Sequence, residues 1–186
     1  MNKIIESDLY RVAGEVSYKA FLARLLKDPC FRFLFFFRKA QQTSKRSPLG
    51  FLYHQLFRRY TIKYGIQIPK PVKIGKGFLL LHQGGIVINA QSVIGDNVTI
   101  LHNVTLGNTK RGKFIGAPKL GNSIYVGPGA VLVGGITIGD NVLIAPNSYV
   151  NCDVPANSIA LGNPCKIIPS ETATLGYINN FYSGEV

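Results

Sequence analysis

The sequence predicts a mainly β protein, a β-solenoid of stacked coils with a small α-helical cap at its N-terminus. Three observations predict it. Aliphatic residues recur every six positions in two long runs, small or Asx residues follow them where a coil must turn, and residues 1–66 lack that period and show helical spacing instead.

Within the cap, Phe21, Leu22, Leu25 and Leu26 predict a helix ending before Pro29, and residues 31–42 predict a second, rich in Phe. Leu49, Leu52, Tyr53, Leu56 and Tyr60 follow helical spacing with Arg58 and Arg59 on the other side, which predicts a third. The cap is expected to join the solenoid near Gly65. Cap, solenoid and tail are assigned to residues 1–66, 67–168 and 169–186, the tail being irregular or weakly helical.

After an irregular start at Ile74 and Leu80, the first run is Ile88, Ile94, Ile100 and Leu106. The second is Leu120, Val126, Leu132, Ile138, Ile144 and Val150. Four positions after these aliphatics stand Ser92, Val98, Val104, Ile124, Ala130, Ile136, Val142, Ser148 and Val154. No helix has a period of six. Short strands with inward aliphatics that stack on the next coil do, and Asp96-Asn97 and Asp140-Asn141 suit the tight corners between them. Each coil buries little alone, so several must stack, with caps or self-association covering the open edges.

The register breaks twice. Eight residues separate Leu80 from Ile88, around His82-Gln-Gly-Gly-Ile86, and fourteen separate Leu106 from Leu120, around Asn108 to Lys119. Loops that leave a regular scaffold are where function concentrates.

Charge is equally uneven. Of the net +12, residues 1–73 carry 15 Lys/Arg against 4 Asp/Glu, and residues 74–186 carry 6 against 5. The solenoid is therefore near neutral. Nucleic acid is not expected as a partner, because the aromatics fall on apolar helical faces and no reading module is present. A basic cap fits peripheral contact with an anionic membrane surface. The longest apolar run near that end, Phe33–Phe37, is far short of the roughly 18–20 residues of a membrane span, and the first residues lack a signal-peptide core. A cytoplasmic location is the expectation. Cys30, Cys152 and Cys165, odd in number and widely spaced, read as reduced and mostly buried residues, not as a disulfide framework or a metal site.

Ile94-Gly-Asp-Asn-Val98, Ile138-Gly-Asp-Asn-Val142, His82-Gln-Gly-Gly-Ile-Val-Ile-Asn89, Val104-Thr-Leu-Gly107 and the closing Gly162-Asn-Pro-Cys-Lys-Ile-Ile168 occur in an order that resembles the hexapeptide-repeat acyltransferases. Within them the chain looks most like the serine O-acetyltransferase branch. The resemblance implies a left-handed parallel β-helix, a homotrimer, and acetyl transfer from acetyl-CoA to a hydroxyl without a metal. The hand comes from the resemblance alone, since ordinary parallel crossovers are right-handed.

The resemblance makes His82 the general base, and an imidazole is chemically suited to take the proton of an attacking alcohol. Gly84 and Gly85 permit close backbone approach to a developing oxyanion. It places the pantetheine arm near Asn108, Gly127, Pro128, Ala145 and Pro146, and offers Lys119 or Lys166 to a CoA phosphate. His102, in a regular hexad where the serine enzymes carry an uncharged polar residue, reads as a coil-surface or intersubunit residue, and His54 as structural.

Departures from the serine enzymes decide the expected acceptor. They carry Asp before the catalytic His where this chain has Leu81, Arg-His where it has Gly116-Ala117, and an imidazole-orienting carboxylate where it has Gln67. A zwitterionic acceptor needs both charges met. The expectation is therefore a neutral hydroxyl of a sugar or surface polysaccharide, as in polysaccharide O-acetyltransferases, contacted by Gln67, Gly84, Lys110 and Arg111. Serine, for cysteine biosynthesis, is the alternative.

Overall fold

The computed structural model describes residues 2–184. Met1, Glu185 and Val186 lie outside the described residues, so the expected tail is seen to Gly184. Four helices come first: α1 (Lys3–Ala13), α2 (Tyr18–Lys27), α3 (Pro29–Gln42) and α4 (Pro48–Tyr64). Fifteen short strands follow among the described residues: β1 (Ile66–Gln67), β2 (Lys73–Ile74), β3 (Leu79–Leu81), β4 (Ile86–Ile88), β5 (Val93–Ile94), β6 (Thr99–Leu101), β7 (Thr105–Gly107), β8 (Lys119–Leu120), β9 (Ile124–Val126), β10 (Val131–Val133), β11 (Thr137–Ile138), β12 (Val142–Ile144), β13 (Tyr149–Val150), β14 (Ser158–Leu161) and β15 (Lys166–Pro169).

Every third strand joins the same sheet. Sheet I holds β1, β4, β7, β10 and β13, sheet II holds β2, β5, β8 and β11, and sheet III holds β3, β6, β9, β12, β14 and β15. The result is a three-sided, left-handed parallel β-helix. Ile74, Ile94, Leu120 and Ile138 pair in register on sheet II, Ile88, Leu106, Leu132 and Val150 on sheet I, and Leu80, Ile100, Val126, Ile144 and Ala160 on sheet III. All of these hexad aliphatics are buried, as are Ser92, Val98, Val104, Ile124, Ala130, Ile136, Val142, Ser148 and Val154 four positions after nine of them. Asn97 and Asn141 turn their corners at φ 55° and 53°, where a short Asx side chain is tolerated. The neighbouring side chains form a ladder across coils: Asp96 accepts from the Lys76 N–H at 2.7 Å, Asn122 from Asp96 at 2.8 Å and Asp140 from Asn122 at 2.6 Å. Parallel stacking ends where β14 turns back on β15 as an antiparallel pair.

Side-chain caps start each helix. Asn2, Ser17, Asp28 and Ser47 accept from backbone N–H groups of the first turns, and Pro opens α3 and α4. Gly65 closes α4 in a left-handed conformation at φ 63° and leads directly into β1.

Two features of the cap differ from the expectation. Helix α1 was not anticipated: Ile5, Leu9 and Val12 follow helical spacing over only two turns, and its buried face also carries the polar Ser7, Asp8 and Arg11. In α4 the expected apolar face is turned: Leu49 and Leu52 are exposed, whereas Gly50, His54 and Tyr64 are buried. His54 is structural as expected, its Nε2 lying 3.1 Å from the Thr43 carbonyl.

The polar face of α1 anchors the cap. Arg38 on α3 donates to both Asp8 carboxylate oxygens, at 2.9 and 3.3 Å, and to the carbonyls of Ile74 and Gly75. Asp8 also accepts from the Phe78 N–H at 2.9 Å. Arg11 donates to the Gly77 and Asn179 carbonyls, to Asn97 and to Thr99, so it ties cap, coils and tail together. The tail lies along the outer face of sheet III, where Tyr177 meets Tyr125 and the Tyr182 N–H donates to Asn97 Oδ1.

Candidate active site

Between sheets III and I the chain turns a corner once per coil, at residues 82–85, 102–104, 127–130 and 145–148. Six of the expected positions, His82, Gly84, Gly127, Pro128, Ala145 and Pro146, fall along this single edge. His82 follows β3 with φ 64° and is exposed. Leu81 pairs with Leu101, so His102 occupies the same corner one coil on, and Gly127-Pro128 and Ala145-Pro146 continue the line.

Backbone hydrogen bonds lock these corners together. The Asn103 N–H donates to the Gly84 carbonyl at 2.9 Å, Gly129 to His102 at 3.1 Å and Asn147 to Pro128 at 2.9 Å. Gly85 has φ 66°, and a Cβ there would displace the Asn103 side chain. Gly84, at φ 106°, faces open space on the side where a Cβ would stand. Gly127 also has a purely structural reason to be glycine, since a Cβ would lie 2.8 Å from the Pro146 nitrogen.

His82 lines a cavity of about 480 Å³ with Leu80, Leu81, Gln83 and, from the cap, Asp28, Pro29 and Cys30. Asp28 was not anticipated. Its Oδ1 caps α3 by accepting from the Cys30 and Phe31 N–H groups, and its Oδ2 takes no hydrogen bond among the described residues. The sequence signal was present as an Asp-Pro helix start, but it reports a cap and says nothing of what the cap faces.

His102, expected as a coil-surface or intersubunit residue, stands beside His82. The two imidazole rings stand edge to face with centroids 5.6 Å apart. The His102 Nδ1 is buried and has no hydrogen-bond partner.

The remaining expected residues lie elsewhere in the single chain. Gln67 is exposed on β1 beside a cavity of about 630 Å³ formed with Phe57, Arg58 and Gly65, and no hydrogen bond joins it to His82. Lys110 and Arg111 sit exposed in the loop between β7 and β8, which leaves the corner of sheets I and II and is closed by reciprocal Thr109 and Gly116 hydrogen bonds of 3.0 Å. Asn108 and Lys119 flank that loop, both exposed, and Lys166 begins β15. Of the cysteines only Cys30 is buried; Cys152 and Cys165 are half-buried near the end of the solenoid, where fewer coils cover them. No helix among the described residues is long and apolar enough to cross a membrane.

Comparison with known proteins bears on both fold and acceptor. The family model for bacterial transferase hexapeptide (six repeats) matches residues 117–152. A serine acetyltransferase of Helicobacter pylori (strain ATCC 700392 / 26695) is 46% identical over 109 residues, which is 58% of this chain and 63% of the relative. Serine acetyltransferase 1, chloroplastic, of Arabidopsis thaliana is 44% identical over 110 residues, 59% of this chain and 35% of the relative. The chain thus spans less than two thirds of the length of these curated relatives. Among solved structures, serine acetyltransferase from Brucella abortus strain S19 superposes with a TM-score of 0.74 at 30% identity, covering 90% of this chain and 68% of the other. For soybean serine acetyltransferase apoenzyme the TM-score is 0.73 at 33% identity, covering 89% and 67%.

These similarities overturn the expectation of a sugar or polysaccharide acceptor, and they lend nothing to the expected membrane contact. Positions 67, 81, 116 and 117, from which that expectation was drawn, all lie outside the cap helices, and the cap also lines the His82 cavity, through Asp28, Pro29 and Cys30. At 33% identity to the soybean enzyme over 89% of its length, and with the same coiled architecture, the chain belongs to the hexapeptide-repeat acyltransferases.

Proposed function

We propose that this chain transfers the acetyl group of acetyl-CoA to the hydroxyl of serine, with His82 as general base. The observation that carries the reading is the His82 cavity, which His82 and Asp28 line together, the Asp28 Oδ2 taking no hydrogen bond among the described residues. A neutral imidazole takes the hydroxyl proton as the oxygen attacks the thioester carbonyl. The tetrahedral oxyanion then collapses, the CoA sulfur leaves, and the proton returns to it from the imidazolium. Asp28 meets the serine ammonium, and backbone N–H groups of the Gly84-Gly85 turn serve the oxyanion. The pantetheine arm follows the same edge past Gly127, Pro128, Ala145 and Pro146.

In a single chain His82 is exposed, and Asn108, Lys110, Arg111 and Lys119 belong to a different edge. Acyl transfer requires a site shielded from water. A homotrimer resolves both points, because laying one copy's loop edge along the next copy's His82 edge covers the imidazole and brings Asn108 and the basic Lys110, Arg111 and Lys119, with Lys166, toward CoA.

The test is release of CoA thiol from acetyl-CoA with L-serine. His82→Ala is expected to fold and to lose about 100-fold or more of the turnover. Asp28→Asn, which keeps the helix cap, is expected to raise the serine KM about tenfold while the acetyl-CoA KM holds. Full turnover in His82→Ala, or no acetylation of serine by the unaltered protein, overturns the reading.

A further inference from the structure

We propose that His102 positions the catalytic imidazole, its buried Nδ1 accepting a hydrogen bond from the ring N–H of His82. The inference rests on the proposed role of His82 as general base and names what orients it.

A general base of this kind needs a partner for its second nitrogen, one that fixes the ring's rotamer and its tautomer. In this chain the position that holds the imidazole-orienting carboxylate of the serine enzymes carries Gln67, which makes no hydrogen bond to His82. The His82 side chain makes no hydrogen bond among the described residues, and its one ring contact is His102. Two imidazoles joined by an N–H···N bond of about 2.9 Å have centroids roughly 5 Å apart, given the size of the rings. The observed 5.6 Å leaves that bond a small movement away, and catalytic hydrogen bonds are commonly long before substrate arrives.

The state of His102 specifies the direction of the bond. Its Nδ1 is enclosed without donor or acceptor. An orphaned buried N–H is rarer than an unused lone pair, so the proton belongs on Nε2 and Nδ1 is an acceptor lacking its donor. A ring that only filled the corner would not need that nitrogen. At the equivalent places in the next two coils the chain uses Pro128 and Pro146. The backbone under His102 is also fixed, since its carbonyl accepts from Gly129 and the following Asn103 N–H donates to Gly84. His102 is thus a rigid acceptor beside a more exposed, otherwise unanchored imidazole. Once His82 donates one nitrogen to it, the other nitrogen keeps its lone pair for the acceptor hydroxyl.

Three variants and one spectrum test this. His102→Phe retains a ring but no acceptor, and is expected to lower kcat by about tenfold to 100-fold with both KM values within about twofold. His102→Asn restores an acceptor near the Nδ1 position and is expected to recover kcat to within about threefold. Long-range proton–nitrogen NMR of the unaltered protein is expected to show His82 in one tautomer, and His102→Phe to show a mixture. If the Phe variant misfolds, His102→Ala replaces it with the same expectations. Wild-type kcat in the Phe or Ala variant, an Asn variant as impaired as Phe, a rise in KM in place of a fall in kcat, or an unchanged His82 tautomer overturns the proposal. Should the unaltered protein fail to acetylate serine, the functional reading falls, while the tautomer measurement still decides the role of His102.

Discussion

The solenoid and the cap are held by opposite means. In the solenoid, stability is spread over equivalent aliphatics such as Ile100, Val126 and Ile144, each stacked on the same position of the next coil. The cap instead meets the coils through a few buried polar groups, chiefly Asp8, Arg11 and Arg38, which bind backbone carbonyls and N–H groups at the first turns. A distributed core tolerates the loss of one member. A buried ion pair does not, because the surviving partner is left charged and unpaired. Two of the 15 basic residues in the N-terminal part are therefore interior fasteners, and they contribute nothing to a basic outer surface.

The comparison is broken most severely at Arg38. Arg38→Met strands Asp8, whose side chain is 1% exposed, and is expected to cost about 3–5 kcal/mol in denaturant unfolding. The double change Asp8→Asn with Arg38→Met is expected to recover much of that loss, since neither charge then remains. Equal loss in single and double variants would mean that the backbone contacts of Arg38, and not the pair, carry the anchor.

In the solenoid the expected effect is smaller and uniform. Ile100→Val and Ile144→Val each remove one methylene from a fully buried stack and should each cost about 1 kcal/mol. The two values are expected to agree, because both side chains pair with Val126 from opposite sides. A several-fold difference between them would contradict a core of equivalent coils.

This contrast also explains what could be read from the sequence. The hexads were legible because one residue type at one spacing does one job, and the Asp-Asn corners because a tight turn restricts residue choice. Helix α1 was not, since a face of Ser7, Asp8 and Arg11 looks solvated until the coils it binds are known. The apolar spacing of Leu49 and Leu52 identified a helix but not its buried side. His82 announced itself by a register break. Its two neighbours did not: Asp28 reaches the cavity from a helix cap in another part of the chain, and His102 sits in an unbroken hexad whose stacking partner is one full coil away. Proximity between coils is set by strand register, which the period implies, but the side chains that share a corner emerge only when coils are laid on one another.

The smallest expected effect concerns the junction of the two regions, at Cys30. A thiol in the first turn of a helix usually becomes more acidic. Here burial, with the Asp28 carboxylate beside it, prevails and pushes the Cys30 thiol up to about 12. At pH 8 the thiolate fraction is then about one in ten thousand, and the residue, though it lines the His82 cavity, is only 6% exposed. Burial and the neighbouring Cys152 also raise Cys165, which is nevertheless partly accessible. Iodoacetamide at pH 8, followed by mass spectrometry, is therefore expected to label Cys152 first, Cys165 more slowly and Cys30 only on unfolding. Labelling of Cys30 at the rate of Cys152 in the native protein would show that the cap lifts from the solenoid at low cost. In that case the Asp28 carboxylate would leave the His82 cavity each time the cap opened, and the polar anchors would be a latch between two states of the site instead of a fixed joint.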